Sequence, residues 1–495
     1  MSETPKQNIT VVLTRADLEL AGRLVGLGIT SESAIAFHKP NVIIDSRKAE
    51  PGCIFVALKG EQTDGHNYVW GAIKNGAALC VVSQTWFDGQ DQTQLNEKLG
   101  SAMLLVVSNP LVALQTLATL YRRKFNIPVI AIAGSNGKTT TKEMIAQVLS
   151  QSFKVKATKG NFNNHIGAPL TLFDLEPETE IAVLELGINH PGEMMALCRI
   201  VEPTHGLITN IGHEHTEFFK SKELVAKAEG ELFAYLKSNK GELFVNAEEE
   251  LIASQAYGYD LATYYGKDLT YKNFGLWKEE AIQHDNGTYS FVLRNSKYVD
   301  VINLRIGGMH NVKNAFAAAC VAKSFRVPFE KIVKALSEYS PAKGSMRMER
   351  EVFNEIVFIN DAYNANPESM SAAIDFLNRL NISGKRFAVL GDMLELGEIS
   401  NDAHEEIGKQ MSETDIEHFF AFGPQMEAAC KSAPQKCNGW FMEKSKLIKT
   451  LTDLVKPGDA LLLKGSRGMR MEEILNKLKE NLGQLNSIVE KEHAG

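Results

Sequence analysis

Residues 128–149 read PVIAIAGSNGKTTTKEMIAQVL, and no other stretch constrains the fold as tightly. The apolar run Val129–Ala133 stops at Gly134. A glycine-bounded loop follows, then Lys138, a run of threonines and a helical pattern carrying Met144, Ile145, Val148 and Leu149. That order is strand, phosphate loop, helix. The backbone N–H groups of such a loop are expected to point inward, and the helix N-terminus adds partial positive charge where an anion can sit. Lys138 can reach the outer phosphates of a nucleoside triphosphate, and Thr139 stands where a hydroxyl would ligate Mg²⁺. The loop is shorter than the usual G-x-x-x-x-G-K-[ST] pattern, because the first glycine of that pattern is here Ile132, inside the strand. What remains is Gly134, Ser135, Asn136, Gly137, Lys138, Thr139 and Thr140. The competing reading is a glycine turn that happens to precede Lys-Thr.

A chain of 495 residues has room for three or four domains. Its net charge of −7 argues against a surface that coats nucleic acid. The six cysteines are scattered without a C-x-x-C pair, and they read as small core residues in a reducing compartment. The opening MSETPKQNIT lacks a basic-then-apolar signal pattern, and no apolar run approaches bilayer length. A cytoplasmic, monomeric protein with no membrane insertion and no nucleic-acid partner is expected.

Three blocks emerge. In the first, residues 1–125, strands are expected at 42–44, 53–58, 78–82 and 103–107, with a helix at 111–124 leading to a linker at 126–128. The second, 126–342, holds the phosphate loop and further strands at 181–185, 206–209 and 242–245, separated by helical stretches. That alternation implies a parallel sheet covered on both faces. Residues 261–306 look β-rich and are expected to form an antiparallel annex, closed by a helix at 311–325. After a hinge at 341–345, the third block, 343–495, repeats the α/β pattern with strands at 357–360, 387–390, 419–422 and 460–463. Ligands of open parallel sheets sit at strand carboxyl ends. The tail after Gln484 is polar and expected to fray.

Several side chains could carry chemistry. Glu185 ends the apolar strand IAVLEL beside the phosphate loop, a position suited to Mg²⁺, or alternatively to a surface or capping role. In ITNIGHEHTEFF, His213 and His215 invite a zinc reading, but no further ligands have zinc-site spacing. One histidine helping to hold Mg²⁺ is the other reading, and the residues alone do not choose which. On the amphipathic helix SKELVAKAEGELFAYL, Glu229 falls with Val225, Leu232 and Leu236 on the apolar side. An inward carboxylate is costly unless paired or metal-bound. In GGMHNVKNAFAAA, His310, Asn311 and Asn314 could read an adenine edge or cap a helix. Arg347 follows the hinge and could bring charge to a γ-phosphate. Asp361, Tyr363, Asn364 and Asn366 follow in INDAYNANPESM.

In order, GSNGKTT, LELG, TNIGHEH, HNVKN, the arginine, the aspartate segment and KGSR resemble the Mur ligase family, ATP-dependent amide-forming enzymes of peptidoglycan precursor synthesis. The resemblance spans nearly the whole chain. DSRKAEPGCIFVALKGEQTDGH, GNFNNHIGAPLTL and DAYNANPESM resemble the branch that joins D-alanyl-D-alanine to UDP-N-acetylmuramoyl-tripeptide. A DNPR-type signature of the diaminopimelate-adding branch is absent.

The resemblance implies an α/β fold of three domains. A central P-loop parallel-sheet ATPase domain is flanked by an N-terminal domain binding the uridine nucleotide and a C-terminal Rossmann-like domain binding the incoming dipeptide. It also implies an acyl-phosphate route, with ATP and Mg²⁺ as cofactors and the two substrates as partners. By matched position it implies that Gly137, Lys138, Thr139 and Thr140 cradle phosphates. Thr139, Glu185 and His215 would hold metal, Asn314 adenine, Arg347 phosphates and Asp361 the ribose. Ser46 and Arg47 would hold the uridine diphosphate, and Asn163 and Asn164 would line the muramoyl-peptide path. Asn364, Asn366, Ser466 and Arg467 would face substrate. Many members carry a carbamylated lysine where this chain has Glu229, which implies a permanent carboxylate there; Asn360 replaces a frequent aspartate. Other readings are a folylpolyglutamate synthase-like ligase, a P-loop protein that uses ATP only as a conformational switch, and a weakened family member.

Overall fold

Short apolar runs that end in glycine or a polar residue become the inner strands of three largely parallel sheets, as a computed structural model of the chain shows. The described residues are 11–493, apart from 28–29, 31–32, 213–218, 267–276, 279–280, 286 and 295–296. Histidines 213 and 215 therefore lie outside them.

The central sheet has six parallel strands, in the order Ala262–Tyr265, Glu242–Asn246, His205–Ile208, Val129–Ala133, Ile181–Glu185, Val155–Ala157. The phosphate-loop strand lies in the middle, between two strands that are buried along almost their whole length. Its carboxyl end is thus surrounded by Glu185 on one side and the residues after Ile208 on the other. Ala262–Tyr265 belongs to this sheet and not to the annex. The annex is antiparallel and built on Thr288–Arg294 and Val299–Gly307. It reaches the third block, where the Asn381 N–H donates to the Asp285 carbonyl at 3.0 Å.

The first block carries a five-stranded sheet ordered Arg23–Val25, Met103–Val107, Leu79–Ser83, Ile54–Val56, Val42–Ile43, antiparallel only at its first pair. The helix Pro110–Arg122, started by Asn109 as N-cap and Pro110 in the first turn, connects it to the central block. This helix is no simple linker. Leu114, Leu117 and Tyr121 share one continuous core with Val81 and Leu105 on one side and Leu172, Phe173 and Leu197 on the other. Arg122 is buried, and its guanidinium donates to the carbonyls of Val201, Glu202 and Phe125, closing the C-terminal end of the helix Glu193–Val201.

The third block has the order Glu349–Phe353, Ile356–Asp361, Ala460–Lys464, Arg386–Gly391, His418–Phe422, Cys437–Phe441, again antiparallel only at its first pair. Two expectations are corrected here. The chain after Gln484 continues as the helix Met471–His493. Cys430 and Cys437 are joined as a disulfide with their Cα atoms 5.2 Å apart; the other four cysteines are free and buried.

His404 in this block is fully buried. Its Nδ1 donates to the Ser400 carbonyl at 2.6 Å and its Nε2 accepts the Met393 N–H at 3.0 Å, so both ring nitrogens are satisfied in the neutral form. Burial pushes its pKa below the ordinary histidine value, although Ser400 and Asp392 oppose the shift. The unfolded chain therefore binds more protons around and below pH of about 6.5, and stability falls as pH drops through that window. Thermal melts between neutral and mildly acidic pH should show this fall. His404→Gln, which can keep one donor and one acceptor there, should flatten it.

Candidate active site

The turn from Ala133 into the helix Lys138–Leu149 needs glycine at two places. Gly134 has φ +112° and Gly137 φ +79°, and a Cβ on Gly137 would come within 2.6 Å of Asn314 Oδ1. The loop differs from the expectation in where its amides point. The Ser135 N–H donates to the Asn210 carbonyl at 2.9 Å, and the Asn136 N–H to Asn210 Oδ1 at 3.0 Å. Asn210 and Thr209 also donate back to the Asn136 carbonyl. The donors left for an anion are those of the N-cap Gly137 and the first helical turn, Lys138, Thr139 and Thr140, which have no intrahelical acceptor. Lys138 Nζ donates to the carbonyls of Gly134 and Ser135, folded back over the loop mouth.

Glu185 is buried at the end of its strand. Asn163 Nδ2 donates to its Oε1 at 2.9 Å. Its Oε2 has no hydrogen-bond partner, and neither has the buried Oγ1 of Thr139. Lys142 Nζ lies 3.9 Å from that same Oε2, itself buried, and burial lowers its pKa against the opposing pull of Glu185. Two orphaned oxygens at a phosphate loop fit a hard divalent cation, which takes oxygen ligands. Glu229 does lie inward, at 1% exposure, and its Oε2 accepts the Gly134 N–H at 3.0 Å. It thus braces the first glycine of the loop. Among the described residues no three His, Cys, Asp or Glu side chains gather as a metal cluster.

A cavity of about 940 Å³ opens over this loop. It is lined from the central block by residues 135–140, Asn163, Asn164, Glu185, His310, Asn311 and Asn314, and from the third block by Arg347, Asp361, Tyr363, Asn364, Asn366 and Lys464. The asparagines of the helix Met309–Ser324 are linked in series: Asn314 Nδ2 donates to Asn311 Oδ1 at 3.1 Å, and Asn311 Nδ2 to the Gly307 carbonyl at 2.6 Å. The Arg347 guanidinium stacks 3.8 Å from the centre of the Tyr363 ring. Asn366 caps the helix Pro367–Asn378, and its Nδ2 donates to Asn136 Oδ1 at 2.8 Å, directly joining the third block to the phosphate loop. Lys222 and Glu368 add a 3.0 Å ion pair across the same boundary.

Other expected residues stand apart from the cavity. Ser466 is buried, and its hydroxyl accepts the Leu394 N–H at 2.8 Å and reaches the Ala365 carbonyl at 3.3 Å, which is a scaffolding arrangement. Arg467 pairs with Glu472 at 3.0 Å on the surface. Ser46 and Arg47 lie in a short helical turn of the first block, where Arg47 is paired with Asp45 and its hydrogen bonds pull that carboxyl down to about 2. The nearby His66 also supports the fold: Nδ1 bonds Asp64 at 2.7 Å and Nε2 accepts the Ser83 N–H at 2.9 Å. Sequence reasoning missed Lys464, Lys142 and Asn210. Lys464 carried the same signal as Glu185, a charged residue ending an apolar strand.

The sequence models of the Mur ligase catalytic domain, the Mur ligase middle domain and the Mur ligase glutamate ligase domain match residues 40–134, 132–322 and 346–467. The chain belongs to the Mur ligase family. This Mur ligase is 37% identical over 447 residues to the UDP-N-acetylmuramoyl-tripeptide–D-alanyl-D-alanine ligase of Bacillus subtilis, covering 89% of its own length and 93% of that protein. It is 33% identical to the Escherichia coli enzyme of the same name, covering 96% and 99%. Among solved structures, a crystal structure of MurF from Acinetobacter baumannii superposes with a TM-score of 0.82 at 31% identity, covering 95% of this chain and 99% of that one. MurF ligase from Thermotoga maritima, solved in complex with ADP, superposes with a TM-score of 0.77 at 26% identity, covering 90% and 98%.

Proposed function

We propose that this Mur ligase joins D-alanyl-D-alanine to UDP-N-acetylmuramoyl-tripeptide at the expense of ATP, forming ADP and phosphate. One observation carries the reading: a single cavity brings together the phosphate loop, the Asn163–Asn164 pair and the DAYNANPESM segment. Relatives 33–37% identical over most of the chain are ligases named for this reaction. The terminal carboxylate of the tripeptide attacks the γ-phosphorus, ADP leaves, and an acyl phosphate results. The amine of the dipeptide then attacks the acyl carbon and phosphate departs.

The chemical difficulty is bringing an anionic nucleophile to an anionic phosphate, so charge neutralisation and alignment do most of the catalysis. Lys138 and the amides of Lys138, Thr139 and Thr140 face the phosphates. Arg347, seated over the Tyr363 ring, brings its positive charge from the third block. Asp361 accepts ribose hydroxyls, and Asn314 borders adenine. Asn163 and Asn164 border the acyl substrate, and Asn364 and Asn366 border the dipeptide. Thr139 Oγ1 and Glu185 Oε2 would hold Mg²⁺, and by matched position His215 and Glu229 would share that role; the cation would supply charge neutralisation at the phosphoryl oxygens.

Incubating the purified chain with a matrix of nucleotide-sugar peptides and dipeptides, read by product mass and phosphate release, tests the reading. Phosphate release that needs both UDP-muramoyl-tripeptide and D-alanyl-D-alanine is the expected result. Release without the dipeptide, or with folate substrates, overturns it.

Because Glu229 is a carboxylate without modification, turnover should be the same in bicarbonate-free and bicarbonate-supplemented buffer. Glu229→Ala should lower kcat by about 10–100-fold, the usual cost of losing a group that supports a metal or its ligands. Bicarbonate stimulation of the wild type, or a normal rate in Glu229→Ala, contradicts the assignment.

A further inference from the structure

Lys464 ends the strand Ala460–Lys464 and is 2% exposed. Parallel pairing places it opposite Asp361, the last residue of the neighbouring strand. Its Nζ donates to Asp361 Oδ2 at 2.6 Å and to the Asn364 carbonyl at 2.9 Å. The other Asp361 oxygen, Oδ1, accepts the Met348 N–H at 3.0 Å. The carboxylate is therefore gripped at both oxygens, in a cavity wall that Lys464 itself lines.

Stability alone is a poor reason for this arrangement. An apolar pair of similar volume commonly serves a buried site as well as an ion pair or better. Geometry offers a stronger one. A carboxylate has about four acceptor positions, and two are taken here. The remaining two match in number the two vicinal hydroxyls of a ribose, and Asp361 lines the cavity. The same ammonium fixes the Asn364 carbonyl, and two residues further on Asn366 reaches Asn136 of the phosphate loop. One buried cation thus sets both the ribose acceptor and the strand-to-helix segment that meets the loop.

We infer that Lys464 is a positioning residue for the nucleotide, orienting Asp361 so that its remaining lone pairs accept the ribose hydroxyls. The inference rests on the reading of Asp361 as the ribose contact, and the test separates the two. Titration calorimetry on the full chain compares ADP with 2′,3′-dideoxy-ADP, for wild type and for Lys464→Met. Wild type should prefer ADP by on the order of tenfold to a hundredfold, the range for hydrogen bonds to a charged acceptor. In Lys464→Met the preference should shrink to about threefold or less, with dideoxy-ADP affinity nearly unchanged.

If the methionine variant fails to fold, Lys464→Ala reads the same ratio, because the vacated space opens on the polar cavity. A wild-type preference that survives intact in the variant overturns the inference and leaves the ribose contact standing. Equal weakening of both nucleotides also overturns it, since that is what a merely structural lysine would do. No preference in the wild type removes the ribose contact, and the inference with it.

Discussion

Lys138→Ala lowers kcat/KM for ATP by on the order of 10³-fold, the scale seen when a preorganised charge-stabilising donor is removed from a reacting centre. The ammonium sits over the mouth of the phosphate loop, held by the Gly134 and Ser135 carbonyls. These carbonyls belong to a loop already tied to Asn210 by its amides, so the backbone keeps its shape when the side chain goes. The melting temperature should shift by only a few degrees while phosphate release collapses. Lys138→Arg keeps the charge but replaces a point donor by a planar fork, and it should recover only part of the rate. Steady-state phosphate assays with calorimetric ADP titration check the pair. An alanine variant that binds and turns over ATP as the parent does would remove the basis for placing nucleotide in this cavity.

The second large effect concerns Glu185. Glu185→Gln keeps the shape and one amide oxygen, yet it removes the negative charge that fits a divalent cation and faces Lys142 at 3.9 Å. We expect kcat to fall by about 10²–10³-fold. Stability should fall as well, because a buried ammonium loses its nearest counter-charge. The double variant Glu185→Gln/Lys142→Met separates these consequences: the melting temperature should recover and the activity should not. Recovery of both would mean that Glu185 serves the ion pair and not the reaction.

Most of what positions these groups could be read from residue order. Runs such as Val129–Ala133 and Ile181–Glu185 are buried along their whole length, and a fully buried parallel strand needs a continuous apolar stretch that stands out in a sequence. The strands that went unseen are edge or first-pair elements. Glu349–Phe353, Val155–Ala157 and Cys437–Phe441 contain only half-exposed and exposed residues, so no burial pattern marks them. The same limit hid the Cys430–Cys437 bond, since proximity between a helix and an edge strand leaves no spacing signature.

Within the site, Glu185 was legible as a charge ending a buried run, and Lys464 was legible by the same rule. Asn210 was not, because its role depends on a loop meeting another loop across the sheet. Ser466 adds that a residue of a recognisable motif can also tie a fold together, as it does between the segments at Leu394 and Ala365.

The contact between Asn136 and Asn366, reinforced by Lys222 and Glu368, has a practical corollary for inhibition. A small polar compound that displaced these contacts from the boundary between the third block and the phosphate loop would act as a doorstop. It would need to mimic neither nucleotide nor peptide, only to compete with one amide pair and one ion pair.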